Sequence, residues 1–174
     1  MAPPGRATRP TLDRVREALF NALVSLEAVE GARVLDLYAG SGALGIEALS
    51  RGAARATFVD RDRGARRAVE QNLVATGLAS RATVVAADAV AHLRAMAGTA
   101  ERAELVLLDP PYDTTDEAWA ELLSLVAPVA PEGVVVVESE RDVGLPAGWD
   151  ALRRKRYGGT LVSVLVPPPP TEPS

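Results

Sequence analysis

The chain contains no cysteine in 174 residues, which excludes disulfides, zinc–thiolate sites and a thiol nucleophile. It has one histidine, His92. Metal sites built from several imidazoles are therefore excluded, any Ser-His-Asp triad would hang on this residue, and His92 itself reads as a surface helix position. Long apolar runs are also missing: one such run, 133–137, falls far short of the ~20 residues a membrane-spanning helix needs. The opening residues MAPPGRATRP have no apolar core segment and do not read as a secretory signal. Together these absences predict a cytoplasmic protein with no metal and no membrane partner. The rest of the composition is ordinary for a folded chain, 48% hydrophobic and 24% charged, so extensive disorder is excluded. A domain of this length can bury roughly 70% of its unfolded surface, and the chain is expected to act as one domain over 1–166 and as a monomer.

The net charge of −4 argues against a uniformly basic surface, but the 19 basic residues are mostly arginines in clusters. Arg6, Arg9, Arg14 and Arg16 lie near the start. Arg51, Arg55, Arg61, Arg63, Arg66 and Arg67 follow, and Arg153, Arg154, Lys155 and Arg156 run together near the end. Each cluster singly is compatible with a solvated face. Arginine also stacks on bases and grips phosphates bidentately, so nucleic acid remains open as a partner.

Apolar, strand-like segments alternate with helical patterns along nearly the whole chain. A helix is predicted over 11–28, from Val15, Leu19, Leu23 and Leu26 at helical spacing. Strands follow at 33–38, 55–59, 83–86, 105–108 and 133–137, separated by helices at 44–50, after 59 to about 73 (closed near Gly77), at 90–96 and at 117–126. This alternation predicts an α/β, Rossmann-like, doubly wound seven-stranded sheet, mostly parallel and covered on both faces. Segments 150–157 and 160–166 flank Gly158-Gly159, a hairpin signal that would add an antiparallel strand at one edge. The proline-rich 167–174 is expected to be a disordered tail.

Two segments carry chemistry. The first, Asp36-Leu-Tyr38-Ala-Gly40-Ser41-Gly42-Ala-Leu-Gly45, joins a strand to a helix, where glycines admit a ligand close to the backbone and the helix N-terminus offers free N–H groups. Gly40, Gly42 and Gly45 match G-x-G-x-x-G, with Asp60 near the distance expected of an acid that binds ribose hydroxyls. By that count a dinucleotide is a fair reading. Asp36 opposes it, because a carboxylate ahead of the glycines repels a pyrophosphate and attracts a cationic amino-acid group. The second segment is Asp109-Pro110-Pro111-Tyr112, directly after an apolar strand. Its prolines stiffen the loop and present the Asp109 carboxylate and Pro110 carbonyl as acceptors at the carboxyl edge of the sheet. Tyr112 adds an aromatic face. Two acceptors and a ring suit a planar group bearing an NH2. Asp88 reads equally as a helix cap, and Glu138 and Glu140 read as solvated strand-end acids.

D-x-x-x-G-x-G, an acid closing the second strand and D-P-P-Y after the fourth resemble the S-adenosylmethionine-dependent amino-methyltransferases of class I. More narrowly, RPTLDRVREALFNAL, LDLYAGSGALGIEALSRGA, TFVDRD, DPPY and VVESE, in this order, resemble the RsmD family of bacterial 16S rRNA (guanine-N2)-methyltransferases over nearly the whole chain. The resemblance implies methyl transfer from S-adenosylmethionine to a guanine N2 of 16S rRNA, within the 30S subunit or an assembly intermediate. It implies that Asp36, Tyr38, Gly40, Ser41 and Gly42 lie along the methionine end of the cofactor. Asp60 and Arg61 would lie by the ribose and adenosine, and Asp88 and Ala89 by the adenine. Asp109, Pro110, Pro111 and Tyr112 would hold the target base. Arg9, Thr11 and Arg14 of the RPT motif gain a substrate role by resemblance alone; otherwise Thr11 is simply a helix cap. Family members usually carry a Gly- and Arg-rich segment before RPT, which here begins at Arg9, so fewer phosphate contacts are expected from that end. Other amine methylases of DNA or RNA share DPPY. A nicotinamide-dependent oxidoreductase leaves that tetrad without a role, and a purely RNA-binding module leaves the aligned acids without one.

Overall fold

The structure is a computed structural model that describes residues 9–173, with side chains from Pro10 onward. Arg6 and the side chain of Arg9 lie outside the described residues. Apolar strands buried on both faces need helices on both sides, and the chain provides them in order: α1 (Arg9–Ser25), β1 (Arg33–Leu37), α2 (Ala43–Ser50), β2 (Arg55–Asp60), α3 (Arg63–Thr76), β3 (Ala82–Ala86), α4 (Ala89–Ala97), β4 (Leu105–Leu108), α5 (Asp116–Val126), β5 (Val134–Ser139), β6 (Asp150–Tyr157) and β7 (Thr160–Val166). They form one seven-stranded sheet in the order β3-β2-β1-β4-β5-β7-β6.

Alternation along the strands sorts the core into two layers. Val34, Phe58, Leu105, Leu107 and Val136 join Leu19, Phe20 and Leu23 of α1, together with residues of α2 and α3, on one face. Leu35, Leu37, Val106, Leu108 and Val137 join Leu93 of α4 and Trp119, Leu122 and Leu123 of α5 on the other. Helix starts are fixed by side chains that accept backbone N–H bonds: Asp62 from Ala65 (2.8 Å), Asp88 from Ala91 (3.1 Å) and Thr115 from Ala118 (3.2 Å). α1 begins at Arg9 and ends at Ser25, two residues earlier at the start and three at the end than the apolar spacing implies. The turn after it passes through Glu27 and Gly31 at positive φ.

The first half of the chain winds outward from β1 to β3. The chain then crosses to the other face through α4 and returns to β4, beside β1. The parallel β1–β4 pairing therefore marks the point where the winding reverses, where open α/β sheets leave a crevice at their carboxyl edge. The antiparallel strand is placed differently from the sequence expectation. β7 inserts between β5 and β6, antiparallel to both, and β6 forms the edge, running parallel to the rest. The reason is burial: Leu161–Leu165 are covered on both faces, whereas β6 is largely exposed and carries the basic run, a composition that discourages further strand pairing. Past β7 there is no regular element, but Pro167 is buried and Pro168 sits against Gly148, so the segment expected to be disordered is anchored at its first residues. No described helix is long and apolar enough to cross a membrane.

Candidate active site

The crevice at the switch point holds two cavities. The larger, about 800 Å3, runs from α1 (Thr11, Arg16) past Asp36, Tyr38, Gly40 and Ser41 to Asp109, Glu138, Tyr157 and Thr160. The smaller, about 450 Å3, is lined by Tyr38, Asp60, Arg61, Asp88, Ala89, Asp109 and Pro111, among others. Tyr38 and Asp109 belong to both, so the cavities meet beside them.

The glycine turn is shaped by close packing. Gly40 (φ 58°) and Gly42 (φ 79°) take left-handed conformations, as does Tyr38 (φ 58°), an unusual setting for a non-glycine side chain and a form of stored backbone strain. A Cβ at Gly40 would meet nothing within 4 Å, so this face of the turn is open to a ligand. At Gly45 a Cβ would collide with the Phe58 ring and lie 2.9 Å from Asp36 Oδ2. The missing side chain lets the Gly45 N–H donate to Asp36 Oδ2 at 3.0 Å. Asp36 is only 3% exposed, and burial pushes its carboxyl well above the ordinary carboxylate range, opposed by the Gly45 N–H bond and assisted by the negative charges of Asp109, Glu138 and Asp60.

Asp60 fastens the turn to β2. Its Oδ2 accepts from the Gly40 N–H at 3.0 Å and its Oδ1 from the Asp62 N–H at 2.8 Å. Each oxygen keeps a second lone pair for a ligand hydroxyl. Asp88 combines both sequence readings, since it caps α4 and lines the smaller cavity. Asp109 is solvent-accessible but stands at the floor of the crevice, where surrounding protein displaces enough water to raise its carboxyl to about 6. Pro111 accepts from Thr114 through both its N–H (3.1 Å) and its hydroxyl (2.6 Å), which fixes the loop. No protein donor reaches the Pro110 carbonyl among the described residues.

The predicted residues do not all converge. Pro110 is buried behind the loop and lines neither cavity. Tyr112 is 82% exposed and projects outside both. Thr11 reaches the larger cavity, while Arg14 is exposed and does not line it. The structure also adds residues that sequence reasoning passed over: Glu138, Tyr157, Thr160, Asn72 and Arg16 all line the larger cavity. Arg16 is held by Asp13 at 3.1 Å and Glu47 at 3.7 Å. Glu138 is half-buried, not solvated. Burial and the neighbouring Asp109 charge raise its carboxyl to about 7. One signal was available: Glu138 follows the apolar run of β5 as Asp109 follows that of β4, at the same edge.

A seven-stranded sheet in this order, with acids at the carboxyl ends of β1, β2 and β4 around a glycine turn, defines a class I methyltransferase architecture. The comparisons narrow it. A family described as "Conserved hypothetical protein 95" matches residues 1–166, and the chain belongs to that family, the RsmD family. It is 42% identical over 160 residues to ribosomal RNA small subunit methyltransferase D of Escherichia coli, covering 90% of this chain and 78% of that one. It is 40% identical over 166 residues to YlbH of Bacillus subtilis, covering 92% and 88%. Among solved structures, yhhF from Escherichia coli superposes with a TM-score of 0.77 at 36% identity, covering 96% of this chain and 92% of that chain.

Proposed function

We propose that the protein transfers a methyl group from S-adenosylmethionine to the exocyclic N2 of a guanine in small-subunit ribosomal RNA. The observation that carries this reading is the meeting of the two cavities at Tyr38 and Asp109. A nucleoside in one cavity and a base entering the other would come together at Asp109, whose carboxylate can accept from an amine. The similarity to an rRNA methyltransferase over most of the chain supports the RNA substrate.

The residues present fit the cofactor. Asp60 has free lone pairs for ribose hydroxyls, with Arg61, Asp88 and Ala89 around the remaining space for an adenine. The open face of Gly40 and the amides of Ala43 and Leu44, which bond no protein acceptor among the described residues, suit a carboxylate at a helix start. Asp36, on the floor beneath them, suits an ammonium. When bound, the cofactor supplies an electrophilic methyl group on a cationic sulfur.

The chain's own task is the nucleophile. A guanine N2 lone pair is delocalised into the ring. Acceptance of an N–H bond from that amine by the Asp109 carboxylate, which lines both cavities, favours a pyramidal nitrogen with the lone pair directed across the cavity. Such positioning and charge stabilisation supply several kcal/mol of a barrier. The base has to leave its stack to reach the loop.

The test separates binding from chemistry. Asp109→Ala should keep cofactor affinity by calorimetry and lose turnover on 30S subunits by at least roughly a hundredfold. Near-normal turnover would reduce the tetrad to a structural turn.

A further inference from the structure

The carboxyl ends of β4 and β5 bring two acids together on one face of the sheet. Leu107 pairs with Val136 and Leu108 with Val137 in the parallel ladder, and one further step of that register sets Asp109 beside Glu138. Residues two apart on a strand share a face, so Asp109 and Glu138 both lie on the side of Leu107 and Val136, toward α1. Both line the larger cavity. Glu138 is partly buried and, among the described residues, its side chain makes no hydrogen bond or ion pair with the protein. A glutamate placed there bears a desolvation cost that no partner within the chain offsets. That cost is explained if a ligand supplies the donor.

We propose that Glu138 is the specificity-determining residue of the target site, its carboxylate accepting the N1–H of a guanine whose N2 amine is held by Asp109. This rests on the reading of the protein as a guanine-N2 methyltransferase. Guanine is the base whose exocyclic amine is flanked by a ring N–H donor. In adenine the amine adjoins the N1 lone pair, and in cytosine the N3 lone pair, and a carboxylate at Glu138 would face either with repulsion. Two acceptors on neighbouring strands therefore match the contiguous N1–H and N2–H2 donors of guanine and mismatch the other amine-bearing bases. Discrimination of this kind places no demand on RNA sequence, because it reads only the flipped base.

The experiment uses 30S subunits reconstituted from 16S rRNA ligated around a synthetic segment that carries guanine or 2-aminopurine at the target position. 2-Aminopurine keeps the amine but has a lone pair at N1. The wild-type protein should methylate the guanine substrate in strong preference. Glu138→Gln, whose amide donates to an N1 lone pair, should lower the guanine to 2-aminopurine ratio by at least roughly tenfold. Glu138→Ala should lower it by slowing guanine alone. Cofactor affinity by calorimetry should be unchanged in both. A merely structural role would slow both substrates together, and an unchanged ratio in both variants would overturn the assignment of Glu138. Failure of the wild-type protein to methylate guanine N2 at all would instead overturn the functional reading on which it depends.

Discussion

Asp109 and Glu138 titrate near 6 and 7, against ordinary values of 3.8 and 4.5, and both consequences have a definite sign. For the proposed chemistry, Asp109 has to be ionised to accept from the target amine and Glu138 to accept the N1–H, so single-turnover methyl transfer should rise with pH through about 6 and about 7 before it levels off. A flat profile from pH 5 to 8 would remove Asp109 from the rate. For stability, the folded chain holds protons on these groups that the unfolded chain has already released between about pH 4 and 7. Stability due to them is thus greatest below the unfolded values and falls as pH rises. Glu138→Gln removes one such group, so it should melt higher than wild type at pH 8 and at the same temperature near pH 4. An equal gap at both values would mean that burial of this charge is not the cause. Gly45 makes a second residue-scale case. Gly45→Ala inserts a methyl between the Phe58 ring and Asp36 and should cost about 1–3 kcal/mol in urea unfolding, the range for overpacking.

At the scale of elements, the sequence was informative wherever one local rule had no competitor. Strands β1, β2, β4 and β5 read as strands because their apolar runs are too short for helices and end at glycine, acid or proline. The hairpin read correctly from Gly158-Gly159, with β6 and β7 ending where expected. Its place in the sheet did not, since β7 is inserted between β5 and β6 by long-range pairing that no local signal encodes. The same limit governs the site. Asp36, Asp60 and Asp109 stand out because motifs frame them. Glu138 reaches the cavity only once β5 pairs with β4, and Tyr157 and Thr160 only once β7 pairs with β5, partnerships set by burial of the strands. Tyr112 shows the opposite case: its motif identified it, but the chain places its ring outside the crevice. Asp88 serves an element and the site together, so Asp88→Ala should cost α4 about 1 kcal/mol as a lost cap and also weaken cofactor binding. Lost stability with unchanged cofactor affinity would leave it a cap and nothing more.

For the whole molecule, the acid-lined crevice and the basic edge divide the work. The crevice gathers negative charge where a cationic cofactor and an amine donor are expected, while the net charge of −4 leaves RNA attraction to local patches. β6 is one such patch. Its Arg154 is tied to Asp142 at 2.6 Å, whereas Lys155 lies over the Tyr157 ring at 5.3 Å, close to the cavity that Tyr157 lines. The position that receives the methyl group decides the function. The direct measurement is to incubate the protein with isotopically labelled S-adenosylmethionine and 30S subunits from a strain lacking any family member, digest the 16S rRNA and locate the label by mass spectrometry. Label is expected on N2 of a single guanine, abolished by Asp109→Ala. Label on an adenine or cytosine amine, or none on the RNA while the cofactor binds normally, would contradict it.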